Sequence, residues 1–199
     1  MLRTCACVVG TALALSIGWT DVTAQTPPQK MLVESPAFAD GGAIPAEYSG
    51  LGKNVSPPLR WSNIPQGTRE FALILDDPDA DFGGRGPFVH WVVYKIPGSA
   101  TGLPAGIPAG VRIELAGLEG AIQGIAGMGG MRRGGAAPPR PVYRGPGPPP
   151  GPAHRYHFKV YALSQPLDAT EGLDKPALLK AMEGKIIGEG LLVGTFQRP

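Results

Sequence analysis

The chain has 199 residues, and its 30 glycines and 23 prolines together make up more than a quarter of it. That share borders on low complexity, but 43% of the residues are hydrophobic, 17% are charged and the formal net charge is only +2, which excludes a wholly disordered chain. The weak charge also argues against nucleic acid as a partner, and the length fits one domain.

Arg3 is the only charged residue before Asp21, and an apolar run from Val8 to Trp19 lies between them. Val22, Thr23 and Ala24 follow as a cleavage region. This order predicts a secretory signal over residues 1–24. Its apolar part is short for a membrane helix, although an uncleaved anchor is a competing reading. The expected product is exported, periplasmic or secreted, with no stable membrane span after cleavage. Both cysteines, Cys5 and Cys7, lie in the signal. The mature chain, 25–199, is therefore expected to be a single domain without disulfides, thiolate metal sites or cysteine nucleophiles.

Residues 25–30 read as a flexible lead. Glu70–Asp77 alternates, with Phe71, Leu73 and Leu75 on one face, and predicts a strand. It runs into Asp76-Asp77-Pro78-Asp79-Ala80-Asp81. These are turn residues. Four carboxylates also suit a hard cation, but the spacing does not match a calcium loop. Phe88–Ile96 is apolar on both faces except at His90 and Lys95, as in a central strand. Strand alternation predicts that His90 shares a face with Phe88, Val92 and Tyr94. It is either a core histidine with one hydrogen-bond partner or part of a pocket wall.

Leu115–Ile125 is ambiguous between strand and loop. From Gly127 to Pro152, 26 residues contain 8 glycines and 8 prolines, and Arg132, Arg133, Arg140 and Arg144 are the only charges. The first half reads as a mobile surface loop. Tyr143–Pro152 reads as stiffer, because proline fixes φ and glycine permits close backbone approach. Arg155–Leu163 and Gly190–Phe196 read as further strands. Alternation places His154 and Tyr156 on one face and Arg155 and His157 on the other. Asp174 as N-cap, Pro176 in the first turn and Gly184 at the end frame one helix. The pattern predicts a mainly β fold, an antiparallel β-sandwich with a few peripheral helices. No glycine-rich loop opens a helix after a strand, so a nucleotide site is not indicated. No Gly-x-Ser-x-Gly elbow points to a serine hydrolase.

Five motifs in order resemble one family. They are Asn54-Val55-Ser56-Pro57-Pro58-Leu59-Arg60-Trp61; Asp77-Pro78-Asp79-Ala80; His90-Trp91-Val92-Val93-Tyr94-Lys95-Ile96-Pro97; Tyr143 to Gly151 running into His154-Arg155-Tyr156; and Leu192-Val193-Gly194-Thr195-Phe196. Over roughly residues 30 to 199 the chain resembles the phosphatidylethanolamine-binding proteins, in particular their bacterial Raf kinase inhibitor-like branch. The resemblance implies a β-sandwich with a small anion pocket formed by Asp77, His90, His154 and Tyr156, with Gly147 and Pro148 on its rim. It also implies binding of phosphorylated small molecules such as phospholipid headgroups, and inhibition of kinases or proteases by some members. Two departures bear on the ligand. Asp81 stands where the family commonly has proline, and Gly127 to Pro141 replaces the usual polar motif before the Gly-Pro-Pro turn.

The resulting expectation is a non-enzymatic binding protein for a small phosphorylated or anionic ligand, with no cofactor and no metal. Two imidazoles and a phenol can donate hydrogen bonds to phosphate oxygens. An aspartate beside an imidazole favours its protonated form, so affinity is expected to fall as pH rises through the histidine titrations. Three alternatives remain open. One is a protein inhibitor of a protease or kinase that docks through pocket-rim loops. Another is a hydrolase using Asp77 with His90 or His154 as base. The third is a metal site from His90, His154 and Asp77.

Overall fold

The computed structural model describes residues 27–80, 86–127 and 141–199. The signal segment, Asp81 and Arg85, and the glycine-rich loop over 128–140 with Arg132, Arg133 and Arg140 lie outside the described residues. Nine strands and one α-helix follow in chain order: β1 (Gln29–Lys30), β2 (Leu32–Glu34), β3 (Leu59–Ser62), β4 (Glu70–Asp77), β5 (Phe88–Pro97), β6 (Gly102–Leu103), β7 (Ile122–Gln123), β8 (His154–Leu163), α1 (Lys175–Met182) and β9 (Ile186–Phe196). The long strands match the hydrophobic runs of the sequence. The ambiguous stretch Leu115–Ile125 contributes only the two residues of β7.

Six strands form one sheet in the order β1-β9-β8-β4-β5-β7, and β2-β3-β6 form a second. Neighbours are antiparallel except β1 and β9. Val33, Leu59 and Trp61 of the small sheet pack on Phe71, Leu73 and Trp91 of the large one. The mainly β sandwich expected from the sequence is the fold observed. The other face of the large sheet is buried too. Ala72, Ile74, Val92 and Tyr94 lie there against Leu178 and Met182 of α1. The Asp174 carboxylate caps α1 by accepting from the Ala177 N–H at 3.0 Å, a stabilising N-cap. Asp76, on this second face and buried, joins β4 to β8 and α1. It accepts from Lys159 Nζ at 3.3 Å and from Lys175 Nζ.

A β-bulge changes what the sequence predicts for His90. Leu75 pairs with Trp91, but Asp76 pairs with Val89, so His90 is the extra residue. Val89, Val92 and Tyr94 face the α1 side, while Trp91 and Val93 face the sandwich core. His90 therefore does not share a face with Val92 and Tyr94. It keeps only Phe88 of that predicted set and turns toward Asp77 and Tyr156. An inserted residue breaks the two-residue period and re-aims a side chain.

Candidate ligand-binding site

The site begins where β4 ends. Asp77 closes a turn on itself: its Oδ1 accepts from the Asp79 N–H at 2.9 Å and the Ala80 N–H at 3.0 Å. Its Oδ2 accepts from His154 Nδ1 at 2.8 Å. Asp79 then grips the start of β8. It accepts from the Arg155 backbone N–H at 2.8 Å and from the guanidinium at 3.0 and 2.7 Å. Those charge-assisted bonds hold the Asp79 carboxyl down at about 2, the ordinary effect of a fork-shaped cation. The run from Asp77 to Ala80 is thus a turn that orients His154.

The second wall is the segment from Tyr143 to Pro149. The Arg144 N–H donates to the His90 carbonyl at 3.0 Å. In return, His90 Nδ1 donates to the Arg144 carbonyl at 2.7 Å. Tyr143 is buried and donates its hydroxyl to the Tyr48 carbonyl at 2.7 Å. Asn54, at φ 54°, accepts from the Gly145 N–H at 2.7 Å. Only glycine fits at 145, because a Cβ there would lie 2.3 Å from the Tyr48 carbonyl oxygen. These bonds hold this part of the Gly/Pro-rich stretch in place, as its stiffness in sequence suggested.

The two walls enclose a cleft of about 530 Å³. All six residues singled out in the sequence line it: Asp77, His90, His154, Tyr156, Gly147 and Pro148. Leu51, Asn54, Phe88 and Arg144 also line it and were not singled out. Arg144 sits 5.2 Å over the Phe88 ring, a cation–π contact at the cleft mouth. Its place in Tyr143-Arg144-Gly145, next to the rim glycine and proline, is the signal that would have found it. His157 is elsewhere, 4.0 Å from Asp76 on the far face.

The two cleft histidines differ in their partners. His154 faces a carboxylate. His90 faces a carbonyl and is buried, its ring edge-on to Phe88 at 4.8 Å and to Tyr156 at 5.2 Å. Burial pulls its imidazole down to about 4, against the opposing pull of its bond to Arg144 and the charge of Asp77. His90 is therefore neutral at neutral pH, and the imidazole that sits beside an aspartate is His154. The Tyr156 phenol is raised by burial and by the Asp77 charge. Its hydroxyl is buried, with the Asp77 carboxylate and the Gly147 backbone N–H as its polar neighbours. Among the described residues no group of three or more His, Cys, Asp or Glu is arranged to hold a metal ion. A larger groove of about 910 Å³ runs along β2 and β9. It has no histidine, and its charged residues are not buried.

Residues 34–197 match the sequence profile of the phosphatidylethanolamine-binding proteins. The chain belongs to that family. It is 39% identical over 168 residues to a UPF0098 protein of Methanothermobacter thermautotrophicus, covering 84% of this chain and 99% of that one. It is 38% identical over 183 residues to LppC of Mycobacterium tuberculosis, whose name describes a lipoprotein, covering 89% and 79%. The crystal structure of the family homologue CT736 from Chlamydia trachomatis is similar with a TM-score of 0.69 and 33% identity, covering 86% of this chain and 99% of that one. Among the described residues, no helix is long and apolar enough to cross a membrane.

Proposed function

We propose that this phosphatidylethanolamine-binding protein family member is an exported, non-enzymatic binding protein. Its cleft takes the phosphoryl or other oxyanion group of a small molecule, a phosphorylated headgroup included. The observation that carries this reading is the convergence of His90, Arg144, His154 and Tyr156 on one cleft. Arg144 adds a permanent positive charge at the mouth. The absence of enzymatic activity is favoured by Asp77, whose two oxygens already accept three N–H bonds and are poorly placed to act as a base. Export is favoured by the charged-apolar-small order of residues 1–24 and by the lipoprotein name of one relative.

Titration of the purified protein with inorganic phosphate, together with native mass spectrometry of the protein as isolated, tests the proposal. Saturable one-to-one binding, or a retained phosphorylated molecule, is expected. The absence of both would dismiss it.

A further inference from the structure

We infer that the cleft selects oxyanions that carry a proton, namely inorganic phosphate and phosphate monoesters, over oxyanions that carry none, such as phosphodiesters and sulfate. This rests on the reading of the cleft as an oxyanion site.

The selectivity comes from which nitrogen of His90 is engaged. A backbone carbonyl can only accept, so the 2.7 Å contact with Arg144 fixes the proton on Nδ1. In the neutral ring Nε2 then offers a lone pair. The ring lines the cleft, so it presents an acceptor there.

The groups around His90 leave it neutral. From β4, Asp77 favours a charged ring but already accepts from Asp79, Ala80 and His154. Asp76 is turned to the far face, where it meets Lys159 and Lys175. From the 143–149 segment, Arg144 opposes a charge on the ring. From β8, Tyr156 presents a ring edge, and its phenol stays protonated. His154 is turned toward Asp77. Burial dominates, and the imidazole titrates near pH 4.

The cleft thus has donors in Tyr156 and Arg144 and an acceptor in His90. An oxyanion with one P–OH satisfies both kinds, donating to His90 Nε2 while its bare oxygens accept. Sulfate or a phosphodiester sets an oxygen lone pair against the nitrogen lone pair and leaves a buried acceptor unpaired.

Calorimetric titration of the purified protein at pH 5.5 tests this with four probes: inorganic phosphate, phosphoethanolamine, glycerophosphoethanolamine and sulfate. At that pH a phosphate monoester holds a proton, because its second ionisation lies near pH 6. Sulfate is close to phosphate in size, and the diester shares phosphate's single negative charge at this pH, so weaker binding by both reports the proton and neither fit nor charge alone. Phosphate and phosphoethanolamine are expected to bind at least about tenfold more tightly than sulfate and the diester. The ratio of the first two separates free phosphate from a monoester as the ligand source. Equal affinity for phosphate and sulfate would overturn the selectivity and leave the oxyanion site standing. No binding by any probe would overturn both. Imidazole nitrogen NMR gives a readout independent of any variant. His90 should be neutral with its proton on Nδ1 at pH 5.5, and an imidazolium signal would overturn the inference. His90→Gln, whose amide can turn an N–H toward the ligand, should bring sulfate affinity to within about threefold of phosphate.

Discussion

Tyr156 lines the cleft, so truncating its hydroxyl tests ligand contact. Tyr156→Phe removes one hydroxyl and keeps the ring that packs edge-on against His90. Phosphate affinity should fall about tenfold, as expected for a bond to a charged acceptor. The thermal midpoint should move by less than about 2 °C. Calorimetry and a melting curve check the two halves, and unchanged affinity would remove Tyr156 from the site. At this scale the sequence was informative wherever strand alternation holds. His154 and Tyr156 lie on one face and His157 on the other, as the period-two pattern predicts. It misled at His90, because a bulge is a pairing event between β4 and β5 and leaves no trace in the periodicity of one strand. It was silent on the histidine's partner. The chain folds a carbonyl from residue 144 against it.

Among the elements, the segment from Tyr143 to Pro149 is the one whose backbone geometry the site depends on. Two of its glycines have opposite tolerances. A Cβ at Gly145 would strike the backbone of Tyr48, Ser49 and Gly50, whereas a Cβ at Gly147 meets nothing within 4 Å. Gly145→Ala should cost about 2–3 kcal/mol and most of the ligand affinity. Gly147→Ala should cost less than about 0.5 kcal/mol. Urea unfolding of the two variants separates the outcomes, and similar losses would contradict this account of the wall. The longer elements were legible because they are long. β4 has the bounds its alternation predicts, and α1 starts at the predicted Asp174 cap. The strands β1, β2, β6 and β7, two or three residues each, fall below the length at which a period exists. They exist because a neighbouring strand is there to pair with.

For the whole molecule, the buried imidazoles set the response to acid. His90 titrates near pH 4 when folded, against 6.5 for a free imidazole, and burial also lowers His157. Between those two pH values the unfolded chain binds a proton that folded His90 refuses, so stability rises with pH in that window and drops on acidification. His90 alone should remove about 2–3 kcal/mol between pH 7 and pH 4.5. Asp79 is held near 2, so its contribution is lost only below this window. Urea midpoints at the two pH values, with His90→Gln as the control that flattens the slope, test this. An identical midpoint at pH 7 and pH 4.5 would contradict it.

The parallel pairing of β1 with β9 bears on how the molecule is made. Gln29 lies beside Gly188 and Lys30 beside Glu189, and Ala43 bridges to Thr195. One edge of the large sheet therefore closes only after Ile186–Phe196 has been made. Contacts at such sequence separation place folding in the millisecond-to-second range, well behind helical proteins of similar size. A chain that has not yet received β9 keeps the edge of β8 open, and an unpaired strand edge of this kind is open to mispairing with another chain.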